Sequence, residues 1–134
     1  MDPRTLPKIL YIDDTPEALR LVSRVLSREY IVLEASDPLS GIELAMDTHP
    51  DLILLDINLP QLSGREVAAR LKTLLPNTPL VAFSADVSAE TRQRALAAGC
   101  VGYLTKPIED IDVFSQQIQA FLRGKRETLS NSIC

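Results

Sequence analysis

Short runs of consecutive apolar residues alternate along this chain with longer stretches in which apolar positions recur every third or fourth residue. Lys8–Ile12 (KILYI) reads as a buried strand that stops at Asp13-Asp14. Thr15-Pro16 then suits a helix start, since Thr is a common cap and Pro fits the first helical position. Leu19, Leu21, Val22, Val25 and Leu26 follow at helical spacing, which predicts a helix from Pro16 to about Arg28. Tyr30–Glu34 (YIVLE) is a second strand, and Asp37-Pro38 opens a helix running to about Thr48. Asp51–Leu55 (DLILL) is a third strand, whose unbroken apolar run predicts burial on both faces, as in a parallel sheet.

The segment from Asp56 to Gly64 contains Pro60 and breaks any helix, so Arg65–Leu74 is the next one. Pro79–Ser84 (PLVAFS) reads as a fourth strand. Ser88 starts a helix that Gly99 stops, with Ser88 and Thr91 forming part of a capping box. Val101–Leu104 is a fifth strand, Thr105-Lys106-Pro107 a turn, and Asp110–Leu122 the last helix. From Gly124 to Cys134 the sequence is polar and loses its period, which predicts a tail or the start of a linker.

Strands alternating with helices in this way predict an α/β fold, a parallel sheet with helices on both faces and right-handed crossovers. Alternation alone leaves the strand order open between a dinucleotide-binding half-fold and a flavodoxin-like order. The length of 134 residues fits one domain with a core that needs no staples, and the two cysteines are too few for a disulfide framework. The expected organisation is one domain over 1–123 with a polar segment over 124–134. A net charge of −4 argues against a nucleic-acid surface. No apolar run approaches a membrane span, and the N-terminus MDPRTLPK lacks the apolar core of a signal peptide, so a cytoplasmic setting is the expectation.

Ligands of open parallel sheets bind beyond the carboxyl ends of the strands. The residues at those ends are Asp13 and Asp14, Asp56, Ser84 and Lys106. Taken singly, each has a bland reading: an aspartate as a helix cap, a serine as a strand-end hydroxyl, a lysine in solvent. Taken together they place three carboxylates, a hydroxyl and an ammonium at one edge. Bare carboxylates in contact repel, and Mg²⁺, a hard cation with oxygen ligands that usually binds beside a phosphate, relieves the repulsion. A lysine and a hydroxyl can hold the remaining phosphate oxygens. A carboxylate can also act as the nucleophile, giving an aspartyl phosphate. The set therefore points to phosphoryl transfer.

These residues resemble the response-regulator receiver family of two-component signalling systems, to which the bacterial chemotaxis response regulator belongs. The resemblance rests on Asp13-Asp14 after YI, on LILLDINLPQLSG around Asp56, on VAFSA with Ser84, and on AGCVGYLTKP with Tyr103 and Lys106, and it covers about residues 8 to 123. It implies a flavodoxin-like five-stranded parallel sheet in the order 2-1-3-4-5. It implies Asp56 as phosphoacceptor and Asp14 as a direct Mg²⁺ ligand, with Asp13 holding the metal through water and the Asn58 carbonyl completing the set. Lys106 is expected to pair with Asp56 and then with the phosphoryl group, across a Lys106-Pro107 bond that is cis. Ser84 and Tyr103 are expected to form the switch, with Asn58 and Asp86 near the path of an attacking water and setting a fairly short phosphoryl lifetime.

The resemblance further implies a histidine kinase or phosphotransfer protein as donor. A downstream protein, or a second copy of the chain, is expected on the face made by the fourth helix, fifth strand and fifth helix, and no nucleic acid or membrane is expected for this domain. The chain is expected to catalyse only its own phosphorylation and dephosphorylation. A Mg²⁺-dependent phosphatase with an aspartyl nucleophile is the alternative, weakened because Asn58 stands where such enzymes carry a second Asp. A nucleotide- or flavin-binding protein is disfavoured because DDTPEA has no glycine. A stand-alone regulator and a receiver belonging to a larger protein both remain open. His49 is expected to be a turn residue, and Cys100 a small core residue.

Overall fold

The computed structural model describes residues 6–57, 64–86 and 88–133. Five strands and five helices alternate: β1 Lys8–Ile12, α1 Pro16–Leu26, β2 Ile31–Ala35, α2 Pro38–Thr48, β3 Leu52–Leu55, α3 Gly64–Leu74, β4 Leu80–Ser84, α4 Ala89–Ala97, β5 Gly102–Thr105 and α5 Ile111–Ile133. All strand pairs are parallel, and the order is β2-β1-β3-β4-β5, the flavodoxin-like order.

The period of two along each strand divides the core. On one face Leu10, Ile12, Ile53, Leu55 and Ala82 pack against Ala45 of α2, Val67, Ala68 and Leu71 of α3, and Ala95 of α4. On the other face Ile9, Tyr11, Leu54, Val81 and Phe83 pack against Leu19, Val22 and Leu26 of α1 and Phe114, Ile118 and Leu122 of α5. Both faces being covered explains why the central strands β3 and β4 carry unbroken apolar runs and are buried throughout. Cys100 lies buried in the first of these cores.

Local signals act as the sequence suggests at most helix ends. Asp37 accepts a hydrogen bond from the Ser40 N–H at 3.1 Å, and Ser88 accepts one from the Thr91 N–H at 3.2 Å. His49 ends α2 in the left-handed conformation, φ 48°, and Gly99 follows α4 with φ 115°. Thr15 occupies the cap position of α1, but its side chain makes no capping bond. Gly41 lets α2 approach the end of β1, because a Cβ there would lie 2.6 Å from Ile12 Cδ1.

One boundary differs from expectation. The period stops at Leu122, yet α5 runs on to Ile133. The residues after Leu122 include Lys125, Arg126 and Glu127 and no proline, so intrinsic propensity continues the helix. Among the described residues, no helix is long and apolar enough to cross a membrane.

Candidate functional site

Register brings the chemistry to one edge. Ile12 pairs with Leu55 and Leu55 with Ala82, so β1 and β3 end level, while β4 and β5 end together at Ser84 and Thr105, two residues further on. The next residues are tied down by backbone hydrogen bonds: Asp56 N–H to the Ile12 carbonyl at 2.9 Å, and Lys106 N–H to the Ser84 carbonyl at 2.9 Å. The Lys106-Pro107 peptide is cis.

Asp13, Asp14 and Asp56 each present a carboxylate oxygen, and these oxygens all lie within 4.8 Å of one another. Asp13 is fully buried and Asp56 nearly so, whereas Asp14 is open to solvent. This is a site with one accessible and two enclosed carboxylates, all hard oxygen donors, and it fits a small divalent cation such as Mg²⁺. Lys106 offsets the negative charge from the other side. Its Nζ donates to Asp13 Oδ2 at 2.6 Å and lies 3.6 Å from Asp56 Oδ2. The expected pairing with Asp56 is thus present as the longer of two ion pairs, and the hydrogen bond goes to Asp13.

Asp13 is held from three directions. Tyr11 Oη and Lys106 Nζ both donate to its Oδ2, and the Thr15 N–H donates to Oδ1 at 2.9 Å. Burial by itself raises the pKa of this carboxyl, but the hydrogen bonds from Lys106, Tyr11 and Thr15 outweigh it and hold the group below the usual aspartate range. Burial, and then the hydrogen bond to Asp13, push the Tyr11 phenol far above its ordinary value, so it remains a donor.

Ser84 and Tyr103 meet at one residue. The Asp86 N–H donates to Ser84 Oγ at 3.1 Å, while the Tyr103 hydroxyl donates to the Asp86 carbonyl. Tyr103 is half-buried, with the Arg92 guanidinium 5.5 Å from the centre of its ring. The Asp86 carboxylate faces α4, accepting from the Ser88 N–H at 2.8 Å and the Thr91 hydroxyl at 2.7 Å. Hydrogen bonds from Thr91 and then Ser88 lower its pKa. Asn58 lies outside the described residues.

Tyr11 and Phe83 are the site residues that strand-end reading overlooks. Phe83 lies under Lys106, its ring centre 5.4 Å from Nζ, and stands 5.8 Å from the ring of Tyr11. A signal for Tyr11 exists: it is two residues before Asp13, hence on the same side of the strand, and a buried tyrosine usually finds a partner for its hydroxyl.

Comparisons with known proteins agree with this geometry. The family model described as the response regulator receiver domain matches residues 9–119. The transcriptional regulatory protein PrrA of Mycobacterium tuberculosis is 32% identical over 129 residues, which are 96% of this chain and 55% of that protein. The hybrid signal transduction histidine kinase D of Dictyostelium discoideum is 30% identical over 121 residues, 89% of this chain and 8% of that protein. Among solved structures, the chemotaxis protein CheY4 of Vibrio cholerae superimposes with a TM-score of 0.82 at 26% identity, covering 87% of this chain and 99% of that one. The chain thus spans about half or less of the length of these two curated relatives.

Proposed function

The chain belongs to the response regulator receiver domain family of two-component signalling, and from that premise we propose that Asp56 is the carboxylate that accepts the phosphoryl group. The family is one of phosphorylation-controlled switches. What carries the assignment to Asp56 is the placing of the Lys106 ammonium between Asp13 and Asp56, at 2.6 and 3.6 Å, beside a third carboxylate within 4.8 Å.

An oxygen of Asp56 attacks phosphorus in line as the P–N bond of a phosphohistidine breaks, and the imidazole nitrogen keeps the electron pair of that bond. Lys106 turns from Asp13 toward the phosphoryl oxygens, and the Ser84 hydroxyl turns from the Asp86 N–H to donate to another. Bound Mg²⁺ supplies neutralisation of the charge on the transferring group. The residues that would hold it are Asp14 and Asp56 directly, Asp13 through water, and Asn58 by its backbone carbonyl, a ligand set carried over from the family.

Because Ser84 and Tyr103 are both bonded to the backbone of Asp86, a movement of Ser84 pulls on the loop that Tyr103 holds. The output is a redistribution between two arrangements of the β4–α4 loop and the α4–β5–α5 face. That face carries an open groove lined by Arg92, Tyr103, Lys106, Val113 and Gln117. A downstream protein or a second copy of the chain reads it, and a histidine kinase or phosphotransfer protein in the cytoplasm is the donor. Residues 1–123 form the receiver, and 124–134 a polar C-terminal tail or the start of a linker. Asn58 and Asp86 tune the attack of water, and the phosphoryl group is fairly short-lived, lasting less than many hours.

Incubation with Mg²⁺ and acetyl phosphate, read by intact mass, tests this. One phosphoryl group is expected on the wild-type chain and none on Asp56→Asn. An equal adduct on both would refute the assignment.

A further inference from the structure

We propose that Tyr11 is a positioning residue for the acidic site, its hydroxyl staying on Asp13 when Lys106 leaves that carboxylate for the phosphoryl group. The inference rests on Asp56 being the acceptor.

Asp13 Oδ2 has two donors of unlike mobility. Lys106 Nζ sits on a flexible four-carbon stem that is partly open to solvent, 22% exposed. The Tyr11 hydroxyl is carried by a fully buried ring on the interior strand β1, packed on Phe83, which in turn packs on Phe114 of α5 with ring centres 5.5 Å apart. Phosphoryl transfer draws the lysine away, because the new oxygens bring more negative charge than Asp13 carries. The carboxylate left behind is fully buried. Without Tyr11 it would keep, among the described residues, only the Thr15 N–H bond on Oδ1. Stripping a buried charge of its partners is costly, so a hydroxyl that stays lowers the cost of releasing the lysine. The same hydroxyl fixes the orientation of Asp13 toward a cation held by Asp14 and Asp56, the office that outer hydrogen-bond partners perform in metal sites.

A buried tyrosine that merely satisfies its own hydroxyl would affect stability and nothing else, so the test separates the two. Tyr11→Phe removes one oxygen and keeps the ring. Phe114→Leu loosens the same aromatic cluster and keeps the hydroxyl. Mg²⁺ affinity is measured by calorimetry on the full chain, and acetyl phosphate kinetics at saturating Mg²⁺ are split into KM and maximal rate. The expected result for Tyr11→Phe is Mg²⁺ binding weaker by about tenfold, a maximal rate lower by about as much, and an unchanged KM. Phe114→Leu is expected to lower the urea midpoint while leaving all three near wild type.

The wild-type chain gives a second reading that does not depend on how the variants fold. On adding Mg²⁺ and beryllofluoride, a phosphoryl mimic, the Lys106 ammonium resonance moves while the Tyr11 hydroxyl proton remains hydrogen-bonded. Tyr11→Phe with wild-type affinity and rate, Phe114→Leu matching its losses, or a Tyr11 hydroxyl that leaves with Lys106 overturns the inference. A wild-type chain that takes up neither phosphoryl group nor beryllofluoride overturns the function itself as well.

Discussion

Lys106 rests on Asp13: its ammonium lies 2.6 Å from that buried carboxylate, an ångström nearer than to Asp56. The lysine thus stabilises the fold through a residue other than the proposed acceptor, and the proposed move to a phosphoryl group would exchange this ion pair for another. A lysine shared between two carboxylates also keeps Asp56 from carrying the full repulsion of its neighbours.

Lys106→Met should therefore destabilise the protein by about 2 kcal/mol at pH 7, since it leaves Asp13 buried without its charged partner. The sign with pH follows from the lowered pKa of Asp13. Stability from a depressed carboxyl is complete above the unfolded value of about 3.9 and is lost as pH falls through the lower folded value. Urea titrations of both proteins should show a gap that is full at pH 7 and narrows below about pH 4. A gap of the same size at pH 3 would show that the loss is one of packing.

Packing makes a separate prediction at Gly41. An added Cβ meets Ile12 Cδ1 at 2.6 Å and Cγ1 at 2.8 Å. Gly41→Ala should cost about 1–2 kcal/mol, the overpacking penalty less the gain in helix propensity. Ile12→Val removes the nearer atom, so the cost of Gly41→Ala should shrink in that background. Additive losses in the double variant would contradict the contact.

The Cys100 thiol is buried, and burial pushes its pKa up to about 11. It should not react with iodoacetamide at pH 8 in the folded protein, and should react once urea unfolds it. Peptide mass mapping after timed alkylation reads this directly. Rapid labelling of Cys100 without denaturant would mean that the α3–α4 side of the core opens easily.

Tyr103→Phe removes the hydroxyl that donates to the Asp86 carbonyl and keeps the ring under Arg92. Amide hydrogen exchange in the first turn of α4 should quicken, while phosphorylation by acetyl phosphate continues, because the bond removed is the one to the Asp86 carbonyl. Loss of phosphorylation in this variant would move Tyr103 from the switch into the chemistry.

Much of this was legible from residues alone. Strand ends are announced by apolar runs that stop at Asp13, Asp56, Ser84 and Lys106, and a parallel sheet must bring such ends to one edge. Strand order was not legible, because alternation fits several windings; it followed from the resemblance and agrees with the sheet. The apolar period predicts an end at Leu122, and α5 runs past it because helix propensity, which that period does not report, continues. The bond from Lys106 to Asp13 and the turning of Asp86 toward α4 depend on side-chain directions that spacing does not encode.

The most direct test of the central claim is to trap the acyl phosphate. The chain is phosphorylated with Mg²⁺ and acetyl phosphate and reduced with borohydride, which converts a phosphoaspartate to homoserine, and the altered residue is located by peptide sequencing in a mass spectrometer. Homoserine is expected at position 56 and nowhere else. Homoserine at position 13 or 14 instead, or a phosphorylated chain with residue 56 unaltered, would contradict it.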